Sequence, residues 1–369
     1  MADIPAHEFV RHFGRRQSVV GEARGRVNLI GEHTDYSGGF VLPTVIPQST
    51  NVAVVANTDA QVSAFSYAVS FDSQRATFTI GQEARRGDWI DYVQGVTHVL
   101  RASGYKITGF DTIISSSVPL GSGLSSSASL VVALLRALRT LNNLSIDDMA
   151  LADLARRVET EFLGIPVGPM DPLACTLGQP GHAVFLDTRS LAVELLRLPP
   201  GLEIAVVNSG IRHSHASGGY RQRQAECTEA AQKLGVARLR DVTDAHHSAI
   251  ESLPPPLDRR VRHVVSENAR VLKAVDAIRQ RNLVQLGRLV DASHTSLRDD
   301  FEVSTSEIDA MVEIARAEAD VFGARITGGG FGGAIVVLAR AGSARRVADQ
   351  VARKARTQLF LDATALVPA

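Results

Sequence analysis

The chain has 369 residues, 45% hydrophobic and 21% charged, which is ordinary globular composition with room for two domains and excludes a disordered chain. Lys plus Arg and Asp plus Glu stand at 39 each, so no global field draws the chain to nucleic acid or an anionic membrane, and any phosphate must be bound by local devices. Cys175 and Cys227 are the only cysteines; they supply neither a disulfide framework nor a CxxC metal pair, fit a reducing cytoplasm, and are expected simply to pack.

The first residues, MADIPAHEFVRHFGRRQ, have no apolar run of signal-peptide length and are expected to begin a folded domain, with Arg11, Arg15 and Arg16 on a solvated helix end. No window approaches a membrane span; the closest, Leu130 to Leu138, is broken by Arg136. Short β-rich segments follow at Val27 to Ile30, Phe40 to Val45, Asn51 to Ala56, Gln61 to Phe65 and Arg75 to Ile80. Helical patterns cover Asp88 to Ala102, Ser129 to Leu141 and Ile146 to Leu163, the last with an expected N-cap at Ser145; a strand at Phe110 to Ser115 precedes the second. Strands return at Ala183 to Leu186, Ala192 to Arg197 and Glu203 to Asn208, and Pro199, Pro200 and Gly201 mark the best domain break. Beyond it, helices are expected at Tyr220 to Lys233, Arg259 to Arg281, Leu283 to His294 and Ser343 to Leu359, with strands at Ala324 to Thr327 and Ala334 to Ala339 around the glycine run 328–333. The mixed order of strands and helices predicts α+β rather than a doubly wound parallel sheet.

Chemistry concentrates in a few segments. GSGLSSSAS, Gly121 to Ser129, joins a strand to a helix start, where free N–H groups and the helix dipole attract an anion and glycines let the backbone approach it. It lacks the lysine of GxxxxGK[ST], and a plain serine N-cap is the rival reading. In Gly25 to Pro43, GRVNLIGEHTDYSGGFVLP, the cluster Glu32, His33, Asp35 and Tyr36 suits a polyhydroxylated ligand, since carboxylates accept from sugar hydroxyls and a histidine donates or accepts. The competing reading is a turn in which Thr34 and Asp35 cap local backbone; a metal site is weaker, because HExxH spacing is absent. Asp171 lies between Pro169 and Pro172, where a regular helix is not expected, on a rigid turn that could aim a carboxylate or merely expose one to solvent.

These motifs carry a family resemblance. GRVNLIGEHTDYSGGFVLP resembles the galactokinase signature, PLGSGLSSSASL resembles the ATP motif of the GHMP kinases (galacto-, homoserine, mevalonate and phosphomevalonate kinases), and ARITGGGFGGAIV resembles their third motif. The likeness extends to 208–227 and 296–312 and so over nearly the whole chain. It implies a GHMP kinase fold of two domains, a ribosomal protein S5 domain 2-like N-terminal domain over 1–199 and a ferredoxin-like C-terminal domain over 200–369, with the active site between them. It implies ATP and Mg²⁺ as cofactors and transfer of phosphate to the anomeric hydroxyl of galactose, giving galactose 1-phosphate.

By position, the resemblance makes Asp171 the catalytic carboxylate and Arg26 the cation that offsets charge on the transferring γ-phosphoryl group. Glu32, His33, Thr34, Asp35, Gly168 and Tyr220 would line the sugar pocket. Gly121, Ser122, Gly123, Leu124, Ser125, Ser126 and Ser127 would wrap the ATP phosphates, with magnesium on Ser127 and Glu159. The chain departs from the family pattern at Arg24, where proline is usual, and at VGPMDP, where CGIMDQ is usual, which touches sugar specificity and the placement of Asp171. A kinase for a related aldose such as N-acetylgalactosamine or arabinose, and a non-catalytic sugar sensor, are the alternatives. The expected partner is a small sugar, with no nucleic acid or membrane, and the expected state is a monomer.

Overall fold

The computed structural model describes residue 4 and residues 6–69, 74–211 and 216–367. In chain order these form α1 (Ala6–Phe13), β1 (Val19–Asn28), β2 (Phe40–Val41), β3 (Pro43–Ala56), β4 (Gln61–Ser66), β5 (Arg75–Thr79), α2 (Ile90–Ala102), β6 (Phe110–Ser116), α3 (Ser126–Leu141), α4 (Asp148–Arg157) and α5 (Met170–Leu177). There follow β7 (His182–Asp187), β8 (Val193–Arg197), β9 (Leu202–Asn208), α6 (Ala216–Lys233), α7 (His247–Glu251), α8 (Leu257–Arg279), α9 (Leu283–Asp299), α10 (Ser306–Arg316), β10 (Val321–Thr327), β11 (Ala334–Arg340), α11 (Ala344–Gln358) and β12 (Thr364–Val367). The α+β expectation is met.

The chain folds into two compact units. Unit 1 takes residues 1–26, 48–120 and 124–177; unit 2 takes 27–47, 121–123 and 178–369. These units are groupings in space, whereas a division at 199/200 is one along the chain; residues 27–47, 121–123 and 178–199 are where the two descriptions differ.

In unit 1, β3 pairs antiparallel with β6 from Thr50↔Ser116 to Ala56↔Phe110, β6 pairs parallel with β4, and β5 closes the edge antiparallel to β4. Helices α2 and α3 bury Val93, Val96, Val131, Val132, Leu134, Leu135 and Leu138 in one apolar core with Val52, Val54 and Phe110. β1 runs in direct backbone contact with α3: a Cβ on Gly21 would lie 2.1 Å from the Ala133 carbonyl oxygen. Unit 2 holds a four-stranded antiparallel sheet ordered β10, β11, β9, β12. Its core joins Val207, Ile326, Ile335 and Val337 to Val261 and Val264 of α8, Met311 and Val312 of α10, and Val347 and Val351 of α11. There too α9 touches β10 through glycine, since a Cβ on Gly287 would fall 1.9 Å from the Phe322 carbonyl oxygen.

Several local expectations are corrected. The stretch 146–163 is not one helix opening on Ser145: Asp147 is the N-cap, its side chain accepting from Ala150 N, and after Arg157 the chain widens into a π-helical turn, Val158–Phe162. Asp171 is not on an irregular turn but in the first turn of α5, where Pro172 is tolerated because first-turn N–H groups have no intrahelical acceptor. The segments at 40–45 and 51–56 belong mostly to the single fourteen-residue strand β3, and β1 starts well before Val27. Residues 212–215, inside the segment likened at 208–227, lie outside the described residues.

Candidate active site

Unit 1 gathers a cluster of ionic and hydroxyl groups. Arg26 lies near the end of β1, and its backbone N–H donates to Leu124 O at 3.1 Å, tying the strand to the start of α3. The Arg26 fork grips the Asp171 carboxylate with both arms, Nε to Oδ1 at 2.7 Å and Nη2 to Oδ2 at 2.6 Å. This bidentate pairing fixes the carboxylate plane, and because Arg26 is 6% exposed against 31% for Asp171, the cation sits beneath and the carboxylate faces outward.

Ser125 completes the arrangement. It occupies the N-cap position of α3 but in the left-handed region, φ 59, and makes no side-chain cap bond. Its Oγ instead donates to Asp171 Oδ2 at 2.5 Å. The simple serine-cap reading is therefore wrong, and the hydroxyl expected to serve phosphate is, in this structure, on the carboxylate. A non-glycine residue held in this backbone region stores strain of the kind concentrated at functional sites.

Ser127, in the first turn of α3, hydrogen-bonds Glu159, which the π-helical turn carries into the same cluster. Glu159 is buried, and its carboxyl is pushed up to about 7, by burial first and then by the neighbouring Asp171 charge, against the pull of Ser127 and Arg26. A hydroxyl and a carboxylate short of positive charge form a hard-oxygen pair of the kind magnesium accepts, with its other positions left to water and phosphate oxygens. Among the described residues no group of three or more His, Cys, Asp or Glu is placed to hold a metal. Gly168 lies in the half-buried loop leading to Asp171. Cys175 of α5 is buried behind this cluster, with its thiol pushed up by burial.

Unit 2 gathers the sugar signature and the glycine loops. Glu32, 3% exposed, takes three donors on one oxygen: Arg325 Nη2 at 3.2 Å, Thr327 Oγ1 at 3.1 Å and Gly328 N at 2.8 Å, all on Oε1. His33, at φ 62, is buried against Phe301 and Tyr220 with ring centroids at 4.8 and 5.3 Å. Its Nδ1 pairs with Tyr36 Oη at 2.9 Å; Nε2 is buried without a partner of normal hydrogen-bond geometry among the described residues, and the ring lies close enough to the Gly329 backbone for that to favour its protonated form. Burial, reinforced by His263, holds the imidazole down to about 3, so it is neutral at physiological pH. Thr34 Oγ1 lies within donating distance of Gly31 O at 2.9 Å and Phe40 O at 2.7 Å; it builds the turn, as the capping reading of this residue expects. Asp35 is buried in the adjoining 3₁₀ turn, and Thr188 Oγ1 holds its carbonyl at 3.0 Å.

Gly121 to Gly123 and the 328–333 loop approach backbone to backbone: a Cβ on Gly328 would lie 3.3 Å from Gly123 Cα. Gly121 and Gly123 both have positive φ, 71 and 76, and among the described residues nothing beyond its own chain neighbours lies within 4 Å of where a Cβ on Gly121 would stand. The chain enters unit 1 at Leu124, and Ser126 and Ser127 open α3.

Sequence reasoning missed the buried supports of these groups. Glu267 of α8 accepts from Gly31 N at 2.9 Å and from Ser293 Oγ at 2.6 Å, and His263 Nε2 meets Glu32 O at 3.1 Å. The available signal for Arg325 was an arginine inside the otherwise apolar strand ARIT, which must find acceptors if buried.

The chain is similar to known proteins over most of its length. The galactokinase galactose-binding signature matches residues 7–56, the GHMP kinase N-terminal domain matches 91–179 and the GHMP kinase C-terminal domain matches 274–357. A galactokinase of Chloroflexus aggregans is 42% identical over 339 residues, covering 90% of this chain and 87% of its own. The chain belongs to the galactokinase family of GHMP kinases. A Roseiflexus galactokinase is 40% identical over 363 residues, 96% of this chain and 91% of that one. The crystal structure of Lactococcus lactis galactokinase complexed with galactose matches with a TM-score of 0.91 at 31% identity, covering 98% of this chain and 95% of that one. Mevalonate kinase of Methanococcus jannaschii, at 18% identity and TM-score 0.67, shares the fold. As a member of this kinase family the chain uses ATP.

Proposed function

We propose that this galactokinase-family chain transfers the γ-phosphoryl group of ATP to the anomeric hydroxyl of galactose, giving galactose 1-phosphate and ADP. The observation that carries the reading is the Asp171 carboxylate forked by Arg26 and held by Ser125, beside the buried Glu159–Ser127 pair. Asp171 accepts or orients the proton of the attacking hydroxyl, and Arg26 offsets charge that spreads over the phosphoryl oxygens. Gly121 to Ser127 would hold the ATP phosphates, the N-terminus of α3 attracting the anion. Ser127 and Glu159 would hold Mg²⁺, which when bound would neutralise phosphate charge.

Glu32, His33, Asp35 and Tyr220 recognise the sugar, with Thr34 shaping the turn and Gly168 offering backbone. The neutral His33 exchanges a hydrogen bond with a hydroxyl without adding charge to the pocket. We further assign the chain to the cytoplasm as a monomer. Along the sequence we divide it at 199/200 into the N- and C-terminal GHMP domains, whose matched segments fall on either side of that boundary. Among the described residues no helix is long and apolar enough to cross a membrane.

The test is Asp171→Asn assayed with ATP, magnesium and a panel of aldoses. The variant should fold and bind ATP but lose turnover by several orders of magnitude; near-normal turnover would remove Asp171 from its role. Wild-type ATP consumption independent of added sugar would refute the sugar-kinase reading itself.

A further inference from the structure

We propose that Arg325 is a positioning residue that sets affinity for the sugar by locking the Glu32 carboxylate and the 28–32 segment in place. The proposal rests on the sugar-kinase reading above and assigns part of its specificity to a residue outside the sugar signature. Arg325 lies on β10 and is wholly buried. Its guanidinium spends its donors on one short stretch of chain and its own neighbour: Nε on Leu29 O at 2.7 Å, Nη2 on Asn28 O at 2.7 Å and Glu32 Oε1 at 3.2 Å, and Nη1 on Ile326 O at 2.8 Å. Thr327 Oγ1 reaches two of the same acceptors, Asn28 O at 3.2 Å and Glu32 Oε1 at 3.1 Å, and Gly328 N reaches the second at 2.8 Å.

Two consequences follow from this geometry. Among the described residues, the donors Arg325 Nη2, Thr327 Oγ1 and Gly328 N all meet the Glu32 side chain at Oε1, which pins the carboxylate plane with Oε2 turned to a hydroxyl of the substrate. A planar fork with fixed donor directions is also required, because four acceptors at different angles are served by one side chain; a lysine ammonium has three donors on a flexible stem and cannot reproduce it. The 28–32 segment has a separate brace, since Gly31 N donates to Glu267 Oε1 at 2.9 Å and Glu267 is held by Arg270 Nε at 2.6 Å. Loosening Arg325 is therefore expected to let the carboxylate move without releasing the segment.

The experiment measures steady-state kinetics of Arg325→Lys and Thr327→Val with galactose and ATP varied in turn, alongside calorimetric titration of each protein with galactose and with ATP. The expected result is a galactose KM and dissociation constant raised tenfold or more in Arg325→Lys and several-fold in Thr327→Val. ATP affinity should stay within twofold and kcat should fall much less than kcat/KM for the sugar. A purely structural support would lower sugar and ATP affinity together, and that outcome, or an unchanged galactose KM in either folded variant, overturns the proposal. Thr327→Val decides the matter if Arg325→Lys does not fold. Wild-type protein that phosphorylates no aldose would overturn the functional reading and this proposal with it; an active wild type with unaffected variants overturns this proposal alone.

Discussion

Replacing Ser125 separates two roles for the phosphate-loop serines. Its Oγ is 2.5 Å from Asp171 Oδ2, the oxygen that Arg26 Nη2 also holds at 2.6 Å, so its loss leaves the carboxylate with one tether fewer. A hydrogen bond to a charged group contributes about 1.5–3 kcal/mol. At 1.36 kcal/mol per tenfold in rate, its loss where alignment matters in the transition state lowers kcat by about 10- to 150-fold. Ser125→Ala and Ser125→Gly both remove the hydroxyl and should show the same fall, with KM for ATP within about twofold. They should differ in stability, because φ 59 burdens a residue with a Cβ but not glycine. Urea unfolding should find Ser125→Gly the more stable of the two by about 1 kcal/mol. A coupled kinase assay with ATP and sugar varied separately gives the first result. If kcat holds while KM for ATP rises several-fold, the hydroxyl serves the nucleotide and its assignment to Asp171 is refuted; equal stability of the two variants would refute the strain argument.

Other expectations can be checked independently. His263, buried between Ser296 Oγ and Glu32 O, is held down to about 4 by burial against an ordinary 6.5. The unfolded chain takes up that proton first, so stability from this group is present above pH 6.5 and is lost as pH falls towards 4, by about 3 kcal/mol in all. Urea midpoints measured from pH 7.5 to 4.5 should show this acid limb, and His263→Gln should flatten its share; parallel curves would refute the assignment. Gly287→Ala, favourable in an exposed helix, should instead destabilise by on the order of 3 kcal/mol, because the added Cβ meets the Phe322 carbonyl. A melting temperature equal to wild type would show that the α9–β10 contact is looser than described. Both thiols are buried, and Cys227 is pushed up to about 12 by burial, so an aromatic disulfide reagent should label them only on unfolding. Rapid labelling of the native protein would contradict that.

The parts of the site legible in the sequence were those whose chemistry is local. GEHTDY announces a polar turn beside a strand, and GSGLSSSAS announces a helix start with room for an anion, because glycine and serine patterns act over a few residues. Helices such as α3 were readable from composition and length. Asp171 was legible as a candidate but not in its conformation: the flanking prolines argue against a helix interior, yet the first turn of α5 needs no N–H from Pro172. The partner of Ser125 was not legible, since it lies 46 residues away and depends on how α5 and α3 pack. Nor was Glu159's raised proton affinity, which burial and Asp171 create together. Glu267, His263 and Arg325 were hidden because each contributes through contacts hundreds of residues distant in the chain.

That last distance has a consequence for how the protein is made. Asn28 O and Leu29 O accept from an arginine 297 and 296 residues further along. At about 5–20 residues per second, roughly fifteen seconds to a minute of translation separates the appearance of the sugar signature from that of its clasp. Until then these carbonyls must stay hydrated or be shielded by a chaperone, and the signature gains its last hydrogen bonds only when almost the whole polypeptide has left the ribosome. A chain that ends before residue 325 therefore carries a recognition turn braced by Glu267 but without the clasp on Asn28, Leu29 and Glu32.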